Sequence, residues 1–410
     1  MARTLTGAAR RGTGRGRSGG RWRAAALVLP LAAFVGTAFV APLATMLVRS
    51  VHDPTVADAL PETLALLRAW DGSSLPGEEV FAAAARELVR AREQRTIGQI
   101  ATRVNRVESG LRSVITRSTR QLQDAEPESW QAAMAAANPA WEEPGTWRAL
   151  QRAGQRWTLR HYLNAVDRER GADGRVVRQP EDQRIYLRLF ARTLLVSLAV
   201  TALCLLLGYP LAYLIAHATP RRAALLLAGV LLPFWTSLLV RTTSWIVLLQ
   251  TQGVINDLLV AMRLIGDDQR LAMVYNMTGT LVAMTHVLLP FMVLPLYSVM
   301  RSIHPQYLRA ASSLGAGPVQ AFCRVYWPLS LPGVGAGTLL VFIVALGYYI
   351  TPALVGGRTG QLISNLIAYH MQESLNWGLA AALGGILLLC VLVFYVVFDR
   401  VVGIARLRLG

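Results

Sequence analysis

Little in this 410-residue chain has the residue types or spacing for bond-making chemistry. Cys204, Cys323 and Cys390 lack ligand-like spacing, and two of them lie in apolar runs. Neither a metal site nor a disulfide framework is expected. No GxxxxGKS or GxxxxGKT loop for nucleotide phosphates occurs, and no residue is assigned a catalytic role. What the sequence does hold is polarity in apolar surroundings. Arg241 falls inside the apolar run Ala223–Leu249, where an unpaired cation costs at least about 2.5–3.5 kcal/mol by insertion scales. Such a side chain belongs in a protein interior or a wet cavity, either held by backbone carbonyls or lining a path. Trp235 and Trp245 flank it, and Tyr348 and Tyr349 fall within a later apolar run. Aromatic ring faces attract cations, so these five residues are the candidate lining of a route through the membrane.

A second candidate is a surface rather than a pocket. The stretch His304–Gly337 lies between two long apolar segments and is too polar and too interrupted to cross a bilayer. Its front half reads as a short helix, with Pro305 suited to the first turn and Gly315 to the stop. Ala310 and Ala311 give it a small-residue face that a groove on a partner could approach closely. Pro328, Pro332, Gly333, Gly335 and Gly337 then mark a bent entry into the next apolar run.

The elements that must position these residues are helices. The chain is 53% hydrophobic and 16% charged, and all 41 basic residues are arginine. Six apolar runs are long enough to cross about 30 Å of hydrocarbon: Ala24–Val48, Phe190–Ala216, Ala223–Leu249, Gly279–Met300, Pro332–Val355 and Gly378–Asp399. The fold expected is all-α and polytopic. Residues 1–23 form an Arg-rich tail, 24–48 the first transmembrane helix, 49–188 a helical extracytoplasmic insertion, and 189–410 a five-helix core with a cytoplasmic loop at 301–328. The first run exceeds the core of a cleavable signal peptide, so an uncleaved span is expected. The net charge of +17 does not point to nucleic acid. Seven arginines sit in the first 23 residues, directly before a span, as a cytoplasmic flank does. Short loops and tails assigned to the inside carry fifteen arginines, including Arg406 and Arg408, against three in the short outer loops. Both termini are thus expected in the cytoplasm, with membrane lipid around the spans.

The insertion differs in kind, with 21 arginines nearly balanced by 19 acidic residues. No proline interrupts Glu78–Asp124, where Ile97, Ile100, Val104, Val107, Leu111 and Val114 recur every three or four residues. That is the seam of a helical hairpin or coiled coil. A second helix must cover it, from Ala57–Trp70, from Ser129–Ala137, or from a partner. Trp141, Trp147 and Trp157 are expected to anchor the returning chain to the body or the membrane surface. A span, a helical extracytoplasmic segment and another span also describe a membrane receptor or sensor, but only about ten residues follow the last span.

The loop resembles the signature loop of ABC importer permeases: Glu-Ala-Ala, three residues, Gly, nine residues, then aliphatic-x-Leu-Pro. Arg309, Ala310, Ala311, Gly315, Val325, Trp327 and Pro328 stand at the matching positions, with Arg309 for the acid and Trp327 for the leucine. The resemblance implies that Arg309, Ala310, Ala311, Leu314, Gly315 and Ala316 dock on a cytoplasmic ATPase. Gly208–Ala216 and Pro233–Leu259 resemble permeases of the spermidine/putrescine type. Residues from about Trp157 to the end, plus the first span, fit the resemblance. It implies no cofactor in this chain, with ATP bound by ATPase subunits. It also implies a second permease subunit and an extracytoplasmic solute-binding protein. Polyamines are the substrates implied. Relatives often carry an acid where Tyr348 or Tyr349 stands, so amino acids, opines and organophosphonates stay open.

Overall fold

A computed structural model describes residues 17–123, 127–171 and 174–402, with side chains from Ala26 to Arg400. The first sixteen residues of the Arg-rich tail and the C-terminal residues from 403, with Arg406 and Arg408, lie outside that range. The chain divides into two compact units, one ending at Arg49 and the other beginning at Ser50. The first consists of helix α1 (Arg17–Val35), a π-helical turn at Gly36–Val40, and most of α2 (Ala41–Val51).

The second unit opens with the helical insertion. Its helices are α3 (Thr55–Ala59), α4 (Pro61–Arg68), α5 (Glu78–Glu93), α6 (Ile97–Asn105), α7 (Leu111–Gln121), α8 (Trp130–Ala137) and α9 (Pro144–Ala153). The seam is therefore not one helix. Arg95 (φ 59°) ends α5, and Gly110 (φ 97°) turns the chain between α6 and α7. The side chain of Asn105 accepts from the Gly110 and Arg112 N–H groups, at 2.9 and 3.1 Å, and so caps α7. The fold-back keeps the stripe inside. Ile100, Val104, Leu111 and Val114 are all buried, in a core shared with α3, α4, α5, α8 and α9. Leaving such side chains in water would forgo about 1.5–3 kcal/mol each.

Trp141 and Trp147 are core residues here rather than anchors. Trp141 Nε1 donates to Ser118 Oγ at 2.9 Å, Trp147 Nε1 to the Trp141 carbonyl at 2.9 Å, and Phe81 packs edge-on to Trp147. Both indoles find an acceptor inside, which removes the reason for an amphipathic ring to sit at an interface. Trp157 remains 67% exposed. Glu87 is also buried, and accepts from Glu62 N, Thr63 N and Thr63 Oγ1 at 2.8, 3.0 and 2.6 Å. It supplies an anion to the otherwise unpaired donors at the start of α4. The segment's ends meet, since Asp53 N–H donates to Arg156 O and Thr158 N–H to Val51 O, both at 2.8 Å.

After a short α10 (Arg160–Ala165), strands β1 (Arg168–Arg170) and β2 (Val176–Arg178) pair antiparallel. They are the one sheet among the described residues of an otherwise helical protein. Buried Asp167 then caps the long α11 (Tyr186–His217), its carboxylate accepting from Tyr186 N at 2.9 Å and Leu187 N at 3.0 Å.

The membrane part continues with α12 (Pro220–Trp235), α13 (Leu238–Leu249), α14 (Val254–Ala261), α15 (Met277–Ser302), α16 (Gln306–Ser313) and α17 (Pro318–Ala321). It ends with α18 (Trp327–Gly347), α19 (Ile350–Val355), α20 (Ile363–Gln372) and α21 (Trp377–Val402). Among the described residues, six segments are long and apolar enough to span a membrane. The central one is α15, which packs between α11 and α18 with Met284, Leu288, Met292, Val293 and Leu296 fully buried. Glycines on α18 permit that approach. A Cβ on Gly333 would stand 3.1 Å from the Leu296 backbone, and one on Gly337 2.7 Å from Met292 Sδ.

Two of the expected spans have other bounds. The run Ala223–Leu249 is two helices, because Pro233 and the extended backbone at Thr236 and Ser237 break it. The third segment able to span is instead Leu238–Ala261, made of α13 and α14 with a bend between them. The fifth expected span stops at Gly347, where Tyr348 turns extended. At its start, Pro328 lies in the first turn of α18 and Pro332 inside that helix, which a π turn at Phe322–Tyr326 joins to α17.

Candidate functional site

Helix α16 has no buried residue. It ends in a Schellman motif: Ala316 N–H bonds the Ala311 carbonyl at 3.1 Å, Gly315 N–H that of Ser312 at 3.0 Å, and Gly315 adopts φ 87°. Only glycine takes that backbone without a Cβ penalty. The turn leaves Leu314 90% exposed, and Tyr307 of α16 and Val319 of α17 are also exposed, at 55% and 77%. Arg309 and Ala310 are exposed, while Ala311 and Ala316 are half-covered. The six loop residues singled out from sequence thus lie on one short helix and its cap.

Behind this surface stands an aromatic cluster that sequence reading missed. Tyr209, Tyr213 and His217 line one face of α11 at four-residue spacing, and Phe322 and Tyr326 do the same on the π turn. Tyr213 meets Tyr326 with ring centroids 5.2 Å apart, and Tyr209 meets Trp327 at 4.9 Å. The Tyr209 hydroxyl also hydrogen-bonds Ser330 Oγ at 2.9 Å. The i, i+4 recurrence of aromatics was the available signal. The cluster ties the loop to two core helices through rigid side chains.

The five candidate path residues do not form one site. Arg241 sits in the first turn of α13, and its guanidinium folds back over the end of α12. Its Nη2 donates to the Pro233 carbonyl and, at 3.0 Å, to that of Thr236. These carbonyls are the acceptors that the helix break exposes, and a cation also suits the negative end of a helix dipole. Trp245, one turn further, donates to His286 Nδ1 on α15 at 3.0 Å. Trp235 is 77% exposed at the end of α12. Tyr348 and Tyr349 occupy the break between α18 and α19, where Ser364 and Asn365 of α20 hold their carbonyls at 2.8 and 2.7 Å. Among the described residues, no hydrogen bond, ion pair or ring contact joins these tyrosines to Arg241 or Trp245.

The membrane helices are thus built around α15 and leave the loop helix α16 exposed. Residues 208–406 match the family described as binding-protein-dependent transport system inner membrane component. The chain is 36% identical over 212 residues to the spermidine/putrescine transport system permease protein PotB of Haemophilus influenzae, covering 51% of this chain and 73% of that protein. Its Escherichia coli counterpart is 34% identical over 198 residues, or 48% and 71%. The inner membrane ABC transporter permease protein YdcU of Escherichia coli is 33% identical over 202 residues, or 47% and 64%. A crystal structure of a bacterial ABC transporter that imports alginate is similar at TM-score 0.45 and 19% identity, covering 55% of this chain and 80% of that one. The chain belongs to the family of binding-protein-dependent inner-membrane permeases. It is a multi-pass inner-membrane permease subunit of an ABC importer, and a transport subunit rather than an enzyme. Its partners are ATPase subunits, a second permease subunit and a solute-binding protein.

Proposed function

We propose that this permease carries polyamines or related small organic solutes inward, with α16 as the helix that an ATPase subunit grips. The observation that supports the coupling role is the exposure of Leu314, Tyr307 and Val319 around a rigid Schellman turn. An apolar tip that the chain's own fold leaves in water gains most from a partner's groove. ATP is bound and hydrolysed by that partner. Arg309, Ala310, Ala311, Leu314, Gly315 and Ala316 form the contact, and the aromatic cluster behind them carries movement to α11 and α18. The charge asymmetry of the short loops supports cytoplasmic termini and an inward-facing α16. Residues 49–188 then lie outside, with 55–156 as a helical subdomain apart from the path. The polyamine assignment rests on similarity to permeases named for spermidine and putrescine. Aromatic faces at Trp235, Trp245, Tyr348 and Tyr349 suit organic cations, and Arg241 serves to hold the break between α12 and α13.

The test is uptake of labelled putrescine into proteoliposomes holding the assembled importer. Wild-type importer should accumulate label only with ATP inside the cytoplasmic compartment and binding protein outside. Ala310→Trp should abolish accumulation while leaving the permease folded. Uptake of amino acids in place of putrescine would overturn the substrate, and normal uptake by Ala310→Trp would overturn the docking surface.

A further inference from the structure

Where α6, α10 and the β1–β2 hairpin meet, the protein forms a partly open cavity of about 570 Å³. That volume is in the range of small-molecule sites. Among the described residues its wall is basic: Arg103, Arg106, Arg152, Arg160 and Arg170 line it with one carboxylate, Glu169. Behind Arg103, which is 4% exposed, Asp53 Oδ2 lies 2.6 Å from the guanidinium Nε, an ion pair without hydrogen-bond geometry. Arg106 spends its donors on Asn376 Oδ1 at 3.1 Å and the Ser374 carbonyl at 3.4 Å.

Several buried polar atoms in this wall have no partner. Arg103 Nη1 and Arg160 Nη1 are buried donors without an acceptor, and Gln179 Oε1 is a buried acceptor without a donor. Leaving such groups unpaired is costly, most of all for charged ones. The crowding is felt by the groups themselves. Burial, then Arg103 and Arg106, push the Arg160 guanidinium down to about 10. Burial and the same arginines push neighbouring His161 down to about 3, so its ring adds no charge.

We propose that this cavity is a binding site for a small oxyanion, phosphate or carboxylate, that carries an adjoining hydroxyl or amino donor. The oxyanion takes the open guanidinium donors of Arg103 and Arg160, which suit planar, forked recognition. The adjoining donor takes Gln179 Oε1. None of the five candidate path residues lines the cavity. A phosphorylated polyol fits this description either free in solution or as the headgroup of phosphatidylglycerol, since the cavity adjoins the starts of α11 and α21.

The experiment uses the full chain in phosphatidylcholine nanodiscs, titrated calorimetrically at low ionic strength with inorganic phosphate and with glycerol 3-phosphate. A parallel arm counts phosphatidylglycerol retained from mixed-lipid nanodiscs by native mass spectrometry. Arg160→Gln should weaken binding about tenfold or more, and Glu169→Gln should tighten it several-fold. A misfolded variant cannot mimic that second change. Saturable binding of the free anions with both shifts supports a soluble ligand. Retention of phosphatidylglycerol with both shifts, and no free-anion binding, supports a lipid headgroup. No binding in either arm, or affinities that neither variant changes, overturns the proposal.

Discussion

Two short amphipathic helices of this protein treat their apolar residues in opposite ways. In α6, Ile100 and Val104 are fully buried, and the chain folds back at Gly110 so that Leu111 and Val114 join the same core. In α16 nothing is buried, and the Schellman turn that ends it presents Leu314 at 90% exposure. The difference is in what each helix is built to meet. Helix α6 is surrounded by helices of its own segment, from α3 to α9. Helix α16 touches its own chain chiefly at α17 and the π turn that leads into α18, with half-buried Leu308 against the membrane core. One helix has its partner in the chain, and the other leaves its apolar tip in the open.

The sharpest way to break this comparison is to put charge where burial is complete. Val104→Glu combined with Leu111→Glu should cost several kcal/mol, because neither carboxylate would have a partner in the core. Limited proteolysis should then cut within residues 55–156 while the membrane helices stay protected. Protection throughout would show that the insertion's core tolerates charge and is not what holds it together.

A smaller effect is expected at the break in the membrane. Arg241→Leu frees the Pro233 and Thr236 carbonyls, a loss of about 1–3 kcal/mol. Detergent melting should fall by a few degrees, and Arg241→Lys should restore only part of it, since one ammonium does not reproduce a fork of donors. Unchanged melting of the leucine variant would assign the side chain to the path instead of the break.

A third effect is set by pH. His161 is buried and neutral in the fold, with a value near 3 against 6.5 unfolded. The unfolded chain therefore takes up the proton first. Its contribution is complete above pH 6.5 and is lost as pH falls toward 3, by about 2 kcal/mol between pH 6.5 and 5. Asp53 acts at lower pH. Burial raises its carboxyl, but Arg103 and hydrogen bonds from Thr55 more than reverse this and hold it below the usual range. Its contribution is present above the ordinary carboxylate range and lost as pH falls through the depressed value. Melting followed from pH 7 to 5 should show the histidine's slope, and His161→Gln should flatten it. An equal slope in that variant would place the sensitivity elsewhere.

Much of this was legible in the sequence. Length and hydropathy set the membrane segments, and Gly315 announced its turn because few residues adopt a positive φ cheaply. The seam at Ile97–Val114 was legible as burial but not as shape. Periodicity reports which side chains avoid water, and a single glycine at position 110 redirected the chain without disturbing that pattern. Trp141 and Trp147 were misjudged as anchors because their acceptors, Ser118 and a backbone carbonyl, lie elsewhere in the fold. Arg241 was rightly marked as needing partners, but the carbonyls it takes exist only because the helix breaks at Thr236. The basic cavity was invisible, since Arg103, Arg160 and Glu169 meet only through tertiary packing.

The central claim is that α16 couples this chain to an ATPase. The most direct measurement is ATP hydrolysis by the reconstituted importer carrying Leu314→Asp or Gly315→Asp, with loaded binding protein present. Leu314→Asp lies on an exposed tip and should change permease stability by no more than about 0.5 kcal/mol. Binding-protein stimulation should nevertheless fall at least about tenfold for both variants, with the ATPase lost on co-purification. Full stimulation of hydrolysis by both variants would contradict the account.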